Sequence, residues 1–231
     1  MLLSVIVPVY NERQTIAEVL TRISLAPFEK EIIVVDDGSS DGTSELLKAL
    51  DCERRIPSTR YLFHNRNQGK GAALRTAFAS VRGDIVLTQD ADFEYDPAEY
   101  PVLIEPIMSG QADVVYGSRF LTRNGQLGAP HRFHYAANKL LTTVSNTFTN
   151  LNLTDMETGF KVFRRDVISR IKIQENRFGF EPEITAKIAR LGIHIQEVPV
   201  SYRGRKHSEG KKITWRDGIA ALVCIVRYRF F

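Results

Sequence analysis

Short apolar segments that alternate with helical segments are the feature that most limits how this chain can fold. The apolar segments have the length and composition of buried strands, and each is followed by apolar residues at helical spacing. In the first half of the chain, strands are expected at residues 3–7, 32–35, 61–63, 84–88 and 114–116, and helices at 15–25, 43–50, 72–81 and after Pro97. Repeated strand–helix–strand units form a mostly parallel, twisted sheet with helices on both faces. The sequence therefore predicts an α/β fold with ligands at the carboxyl ends of the strands.

Beyond Gly117 this pattern changes, and residues 121–129 are expected to form a loop that contains Gly and Asn. Apolar residues between Ala137 and Phe148 recur at helical spacing, and they are expected to pack in the core. A strand at 160–163, a helix at 182–191 and a strand at 193–198 complete the predicted sheet. We expect one domain over residues 1–212 and an amphipathic helix over 213–231.

Length, cysteine usage and charge narrow the classes of protein. A chain of 231 residues, 43% of them hydrophobic, fits a single domain. Cys52 and Cys224 lie far apart without a CxxC or His-rich partner, so neither a disulfide framework nor a zinc site is expected. The apolar residues 2–7 lack a basic flank and are interpreted as a strand, and no stretch reaches the roughly 20 apolar residues of a membrane span. These features predict a cytoplasmic catalytic body.

The clearest chemical signal is the triplet Asp90-Ala91-Asp92, which follows the apolar strand ending near Thr88. Two carboxylates spaced one residue apart at a strand end can face one point, and hard oxygen ligands suit Mg²⁺ or Mn²⁺. Glu94 is a candidate for a third oxygen. The alternative interpretation is a pair of solvated loop acids. Because acidic or aromatic residues also follow two other strands, the metal interpretation is preferred.

The ends of those two other strands carry candidate residues for binding a nucleoside. The first strand ends in Pro8, Tyr10 and Glu12, which offer an aromatic ring for a base and a carboxylate for a ribose hydroxyl. The second ends in Asp36 and Asp37, with glycines that let the backbone turn closely around a ligand. These loops predict a nucleotide pocket beside the acidic triplet.

A glycine-containing turn around Lys70 resembles a dinucleotide motif only partly. The sequence Gln-Gly-Lys-Gly at 68–71 follows a strand and opens a helix, but Leu74 stands where the third glycine belongs. The segment is therefore interpreted as a turn and helix start, with Lys70 a candidate for meeting a phosphate.

Several motifs in fixed order carry a family resemblance. They are VPVYNE (7–12), VVDDGSSDGT (34–43), NQGKGAALRTAF (67–78), DAD (90–92), GSRF (117–120) and DMETGFK (155–161). Together they resemble the inverting glycosyltransferases of family 2. The segments DMETGFKVFRR (155–165) and EVPVSYRGRKHSEGKK (197–212) are similar to the branch of dolichyl-phosphate mannose synthases and bacterial polyprenyl-phosphate hexosyltransferases.

The resemblance implies a single GT-A domain, a nucleotide-sugar donor such as GDP-mannose or UDP-glucose, and Mg²⁺ or Mn²⁺ as cofactor. Asp92, Asp155 and Arg119 would be catalytic. Asp90, Asp92 and Glu94 would hold the metal. The implied donor-binding residues are Pro8, Tyr10, Glu12, Val35, Asp37, Asp90, Ala91, Asp92, Arg119, Arg205 and Lys211.

Two acceptors remain open. A lipid phosphate is already anionic at neutral pH, so Asp155 would only orient it. A sugar hydroxyl of a cell-surface polysaccharide would need a general base, which Asp155 or Glu157 could supply. From Arg203 onward there are eight Lys or Arg against two acids, and this basic segment favours a phosphate acceptor. Two further classes of protein stay open, namely a nucleotidyltransferase and a non-catalytic nucleotide-sugar sensor.

The pattern of the terminal helix indicates where in the cell the protein is located. Its apolar residues fall on one face with arginines on the flanks, namely Trp215, Ile219, Leu222, Val223, Val226 and Phe230, with Arg216, Arg227 and Arg229 beside them. This pattern is typical of an interfacial helix on a membrane and equally of a helix that docks on its own domain. The predicted location is peripheral, on the cytoplasmic face of a membrane. Expected partners are the donor, a lipid-phosphate acceptor, and a membrane surface or small membrane protein, and nucleic acid is not among them.

Overall fold

The computed structural model describes residues 1–121, 132–204 and 215–230, and contains seven strands and eight α-helices within them. The strands are β1 (Leu3–Val9), β2 (Lys30–Asp36), β3 (Thr59–Phe63), β4 (Ile85–Thr88), β5 (Val114–Ser118), β6 (Lys161–Arg164) and β7 (Ile195–Pro199). The helices are α1 (Ile16–Leu25), α2 (Thr43–Cys52), α3 (Lys70–Phe78), α4 (Tyr100–Met108), α5 (Arg132–Thr149), α6 (Arg165–Ser169), α7 (Phe180–Arg190) and α8 (Trp215–Phe230), and a 3₁₀ turn at Pro97–Glu99 precedes α4.

The seven strands form one sheet in the order β3-β2-β1-β4-β6-β5-β7. All neighbouring pairs are parallel except those made by β6, which runs antiparallel to both β4 and β5. Six strands therefore end at one edge of the sheet, and β6 begins at that same edge. The predicted mostly parallel α/β sheet is confirmed.

Alternating strand residues supply two separate cores, one on each face of the sheet, as the two-residue repeat of a strand requires. On one face Val5, Val7 and Leu87 pack with residues of α1, α2 and α4. On the other, Ile6 and Val86 pack with residues of α3, α5, α6, α7 and α8. Helices therefore cover both faces of the sheet, and the candidate residues lie in the loops at its carboxyl edge.

The amphipathic helix α8 joins the domain through one face. Ala221, Cys224, Ile225 and Tyr228 are buried, and the helix contacts α5 and α7. No helix in the described ranges is long and apolar enough to cross a membrane.

Candidate active site

The loops at the carboxyl edge carry most of the predicted site residues that the structure describes. The loop after β4 is joined to the loop after β1, because the Thr15 hydroxyl donates to the carbonyl of Ala91 at 2.8 Å and lies 3.1 Å from Glu12 Oε2. It is joined to the segment after β7 by the Arg203 amide, which donates to the Glu94 carbonyl at 3.0 Å. Hydrogen bonds thus join the Asp90-Ala91-Asp92 loop to the loop after β1 and to the segment after β7.

The acidic triplet is held in a defined conformation. Asp92 is only 6% exposed, and its Oδ1 accepts a hydrogen bond from the Glu94 amide at 2.9 Å. The Gln89 side chain supports the same loop, because it accepts from the Tyr100 hydroxyl at 3.0 Å and donates to the Asp90 carbonyl at 3.0 Å. Sequence patterns gave no indication of Thr15 or Gln89 as supports, since neither belongs to a charged motif.

The segment that precedes β6 approaches this loop closely. A Cβ on Gly159 would come within 2.3 Å of Asp90 Oδ2, so a larger residue at this position would displace the Asp90 carboxylate. The Gly159 amide donates to the Tyr95 hydroxyl at 2.9 Å. The motif at 155–161 is thereby brought beside the acidic triplet, although more than 60 residues separate them in the chain.

A lysine contacts the first carboxylate of the triplet. Lys70 Nζ lies 2.9 Å from Asp90 Oδ1 and 3.1 Å from Glu181 Oε1. Burial alone lowers the pKa of Lys70, but the carboxylates of Asp90 and Glu181 outweigh it and raise the pKa above its usual value. Lys70 is therefore a charged member of the site. Glu181, in the first turn of α7, was missed from the sequence because it belongs to an otherwise ordinary amphipathic helix.

The predicted nucleoside residue Asp37 supports the lysine loop. Its carboxylate accepts hydrogen bonds from the amides of Gln68, at 3.0 Å, and Gly69, at 2.7 Å, and lies 2.7 Å from His64 Nδ1. Asp37 is 2% exposed, and these bonds direct its carboxylate toward the loop. Its contact with a nucleoside stays a prediction.

The remaining residues of the predicted nucleoside pocket differ in exposure. Pro8 and Tyr10 are half-buried at the edge, and Glu12 is buried with its amide bonded to the Thr43 hydroxyl at 3.0 Å. Val35 is fully buried, and its side chain packs in the core with α3. The side chain of Val35 therefore serves the core, and its predicted part in donor binding is untested.

Arg119 and Asp155 form a buried two-pronged ion pair. Arg119 Nε and Nη2 donate to the two carboxylate oxygens of Asp155 at 2.7 Å each, and the Arg119 amide donates at 3.0 Å. Asp155 has no exposed surface, and the Arg119 side chain is 10% exposed. Glu197 holds the same segment by accepting from the Asp155 amide at 2.9 Å. Asp155 therefore fixes the guanidinium, and the guanidinium lies over the Tyr202 ring at 5.1 Å.

A half-buried acid, Glu157, and a buried base, Lys161, lie next to this pair. Burial, reinforced by the nearby Glu181, raises the pKa of Glu157 to about 8, and burial lowers the pKa of Lys161 to about 8. Within the described part of the chain, Glu157 Oε1 is buried without a hydrogen-bond partner. Lys161 Nζ donates to the carbonyls of Met156 and Thr158. Burial therefore favours the neutral forms of both groups.

The donor set at the end of β4 fits a divalent ion that is shared with a phosphate ligand. Mg²⁺ is usually bound through one or two carboxylates together with substrate phosphates and water. Asp90 and Asp92 supply two such carboxylates, while Glu94 Oε2 accepts from the Tyr202 hydroxyl at 3.1 Å. Among residues 1–121, 132–204 and 215–230, no group of three or more His, Cys, Asp or Glu is arranged to hold a metal by itself. The role of Glu94 as a ligand stays a prediction.

Two predicted phosphate-binding residues cannot be placed. Arg205 and Lys211, with their basic neighbours Lys206 and Lys212, lie outside the described residues.

Comparison with known proteins identifies the family. Residues 4–172 match the model of the family described as glycosyl transferase family 2. The chain is 33% identical over 214 residues to the undecaprenyl-phosphate 4-deoxy-4-formamido-L-arabinose transferase of Aeromonas hydrophila, covering 91% of this chain and 62% of that protein. It is 31% identical over 216 residues to the undecaprenyl-phosphate mannosyltransferase of Micrococcus luteus, covering 89% of this chain and 85% of that protein.

The chain thus spans about three fifths of the length of the Aeromonas protein. Among solved structures it resembles glucosyl-3-phosphoglycerate synthase of Mycobacterium tuberculosis in complex with Mn²⁺, UDP and glucosyl-3-phosphoglycerate. The TM-score is 0.72 with 22% identity over 99% of this chain and 80% of that chain, a likeness of fold. With its strand order and the family match over most of its length, the chain belongs to glycosyl transferase family 2 and has the GT-A fold.

Proposed function

We propose that this chain transfers a sugar from a nucleotide-sugar donor to a polyprenyl phosphate, with inversion at the anomeric carbon and with Mg²⁺ or Mn²⁺ bound at Asp90 and Asp92. The observation that carries the proposal is that these two carboxylates and the buried cation Arg119 follow the carboxyl ends of β4 and β5 at one edge of the sheet. Two relatives aligned over about nine tenths of this chain carry undecaprenyl phosphate in their names, and they favour this acceptor.

The reaction requires stabilisation of the negative charge that grows on the leaving diphosphate. A bound divalent ion supplies Lewis-acid stabilisation there, worth several kcal/mol in general. Asp90 and Asp92 would hold that ion from the end of β4. Arg119, fixed by Asp155, would present a preorganised positive charge to a phosphate of donor or acceptor, and its low exposure strengthens that interaction.

The acceptor phosphate needs no strong base, because a phosphate monoester with a second pKa of about 6 is anionic at neutral pH. This agrees with the state of Asp155, whose two oxygens both accept hydrogen bonds from Arg119. Asp155 is therefore proposed to orient Arg119 rather than to take a proton. Arg205 and Lys211 would add positive charge for the same phosphates.

A second candidate is transfer to a sugar hydroxyl, and one observation favours it. Glu157 Oε1 is buried without a hydrogen-bond partner among the described residues, and burial raises the pKa of this carboxyl group, which makes its carboxylate a stronger base than an exposed one. A soluble-acceptor assay separates the two candidates, because only the hydroxyl reaction would depend on the ionisation of Glu157.

We further propose that α8 places the enzyme on the cytoplasmic face of a membrane. Its inner face is buried against the domain, while Val223, Val226 and Phe230 are 43–63% exposed. Arg227 and Arg229 are exposed beside them and suit anionic headgroups. The two interpretations of this helix are compatible, since one face can dock while the other contacts lipid.

The proposed donor site is tested with Asp92→Ala. The purified protein is screened against UDP- and GDP-sugars with Mg²⁺ or Mn²⁺, by donor binding and by turnover. We expect the wild-type chain to bind one donor class in a metal-dependent way, and the variant to keep its circular dichroism spectrum but lose metal-dependent binding and turnover. Unchanged turnover in Asp92→Ala would refute the site.

A further inference from the structure

The ion pairs of Lys70 link the acidic triplet to a helix on the far side of the lysine loop. Lys70 lies between Asp90 at the end of β4 and Glu181 in α7, at 2.9 and 3.1 Å. The Lys70 side chain is 21% exposed and that of Glu181 is 6% exposed, so solvent screens this pair less than a surface ion pair. These contacts of Lys70 are therefore stronger than those of an ordinary ion pair on the surface.

Backbone packing fixes the loop that carries the lysine. A Cβ on Gly69 would come within 2.3 Å of the Asn176 carbonyl oxygen, and one on Gly71 would come equally close to that of Glu175. The Ala72 amide donates to the Asn176 carbonyl at 3.0 Å. The glycines on both sides of Lys70 therefore serve close packing against the segment before α7.

The opposite side of the loop is fixed by Asp37. Its carboxylate accepts from the Gln68 and Gly69 amides, and it is buried. Since both sides are held, the backbone of Lys70 has a set position, and only its side chain can move between Asp90 and Glu181. Both sides of the lysine loop are thus fixed by packing and hydrogen bonds, and Glu181 lies outside the motifs that carry the family resemblance.

We propose that Lys70 and the divalent ion are alternative partners of Asp90, and that Glu181 keeps the lysine when the ion takes its place. This inference rests on the proposed metal site at Asp90 and Asp92. An ammonium and a divalent ion repel each other and draw on the same carboxylate charge. The ion consequently binds weakly to the enzyme alone and tightly together with the nucleoside diphosphate, whose oxygens add charge and ligands. Lys70 thus couples metal binding to donor binding.

The test measures Mn²⁺ affinity from the electron paramagnetic resonance signal of free Mn²⁺, with and without UDP or GDP. Lys70→Met should bind Mn²⁺ alone on the order of tenfold more tightly than the wild-type chain. The nucleotide should enhance its Mn²⁺ affinity less, because the competing cation is gone. Lys70→Arg keeps the charge and should behave like the wild-type chain. Lys48→Met removes an exposed lysine on α2 and should leave Mn²⁺ affinity unchanged.

Glu181→Gln should act in the opposite direction. It removes the second partner of Lys70, which leaves the ammonium on Asp90, so Mn²⁺ alone should bind more weakly. Lys70→Met leaves Glu181 buried without its cation and could unfold the chain. The double variant Lys70→Met/Glu181→Gln removes both charges, and it should bind Mn²⁺ more tightly than Glu181→Gln alone.

Two results overturn the inference, and they are distinguishable. In the first result, the wild-type chain binds Mn²⁺ with nucleotide, but Lys70→Met binds Mn²⁺ no more tightly than the wild-type chain, and the double variant no more tightly than Glu181→Gln. Lys70 then does not compete with the ion, and the proposed metal site survives. If neither the wild-type chain nor Lys70→Met binds Mn²⁺ even with UDP or GDP, the metal site fails and the inference with it.

Discussion

Replacing Asp155 by Asn tests whether this residue orients Arg119 or acts as a base. The change keeps the shape of the side chain but removes the charge that faces the guanidinium. Three hydrogen bonds of 2.7–3.0 Å join the two residues, and Asp155 has no exposed surface. Both features mark the pair as one of the strongest polar contacts of the site.

The magnitude follows from that burial. Removing one partner of a buried ion pair costs about 3–5 kcal/mol, because the other charge is left uncompensated. The Asn oxygen still accepts one bond from Arg119, so we expect the unfolding free energy to fall by about 3 kcal/mol, at the lower end of that range. A guanidinium that is no longer fixed should also lower kcat/KM on the order of 100-fold.

Urea unfolding and the pH profile of kcat/KM measure the two effects. Asp113→Asn is the matched control, since Asp113 pairs with Arg164 at 3.1 Å while both side chains are about half exposed, and it should cost less than about 1 kcal/mol. We expect Asp155→Asn to lower the rate at every pH without changing the shape of the profile. Loss of the acidic limb of the profile, or a stability within about 1 kcal/mol of the wild-type chain, would refute the orienting role.

Three further predictions concern packing, protonation and the membrane. Gly71→Ala should lower the unfolding free energy by about 1–3 kcal/mol, because its Cβ meets the Glu175 carbonyl. Gly218→Ala in α8, whose Cβ would have no described atom within 4 Å, should stay within about 1 kcal/mol of the wild-type chain in urea unfolding. The pKa of Glu157 is raised in the folded chain, so its contribution to stability is present below the ordinary value of 4.5 and is lost as the pH rises to about 8. Glu157→Gln should therefore become more stable relative to the wild-type chain across that window, by up to about 1.4 kcal/mol per pH unit, and a constant difference from about pH 5 to 8 would contradict the raised pKa. Val223→Ser/Val226→Ser should reduce co-sedimentation with anionic vesicles several-fold, while Leu25→Ser, which removes an exposed leucine on α1, should not; equal binding by both variants and the wild-type chain would exclude α8 as the contact.

The sequence was sufficient for the parts of the fold that depend on local pattern. Apolar runs such as the one before Asp90 indicate strands, and parallel strands bring their loops to one edge. The position of β6 was not predictable in this way, because its apolar residues pack equally well in either strand direction. Its antiparallel insertion between β4 and β5 is what brings Asp155 and Gly159 to the site.

Sequence patterns identified candidate residues of the site one by one, but they did not show which residues pair with each other. The acidic triplet is recognisable by its spacing, but Lys70 and Glu181 are 111 residues apart, and only the packed loop unites them. Asp155 was predicted beside the acceptor, yet its partner Arg119 decides what its carboxylate can do. Such pairings depend on tertiary contacts, which residue types and spacing do not encode.

Mass analysis of the reaction product tests the central claim most directly. The purified chain is incubated with the donor that it binds, with Mn²⁺ or Mg²⁺, and with either a polyprenyl phosphate or a soluble sugar acceptor. The proposal predicts a polyprenyl-phosphate sugar of inverted anomeric configuration, absent with Asp92→Ala and absent when the divalent ion is chelated. Sugar transferred only to the soluble hydroxyl acceptor, or a lipid product that survives both Asp92→Ala and chelation, would contradict it.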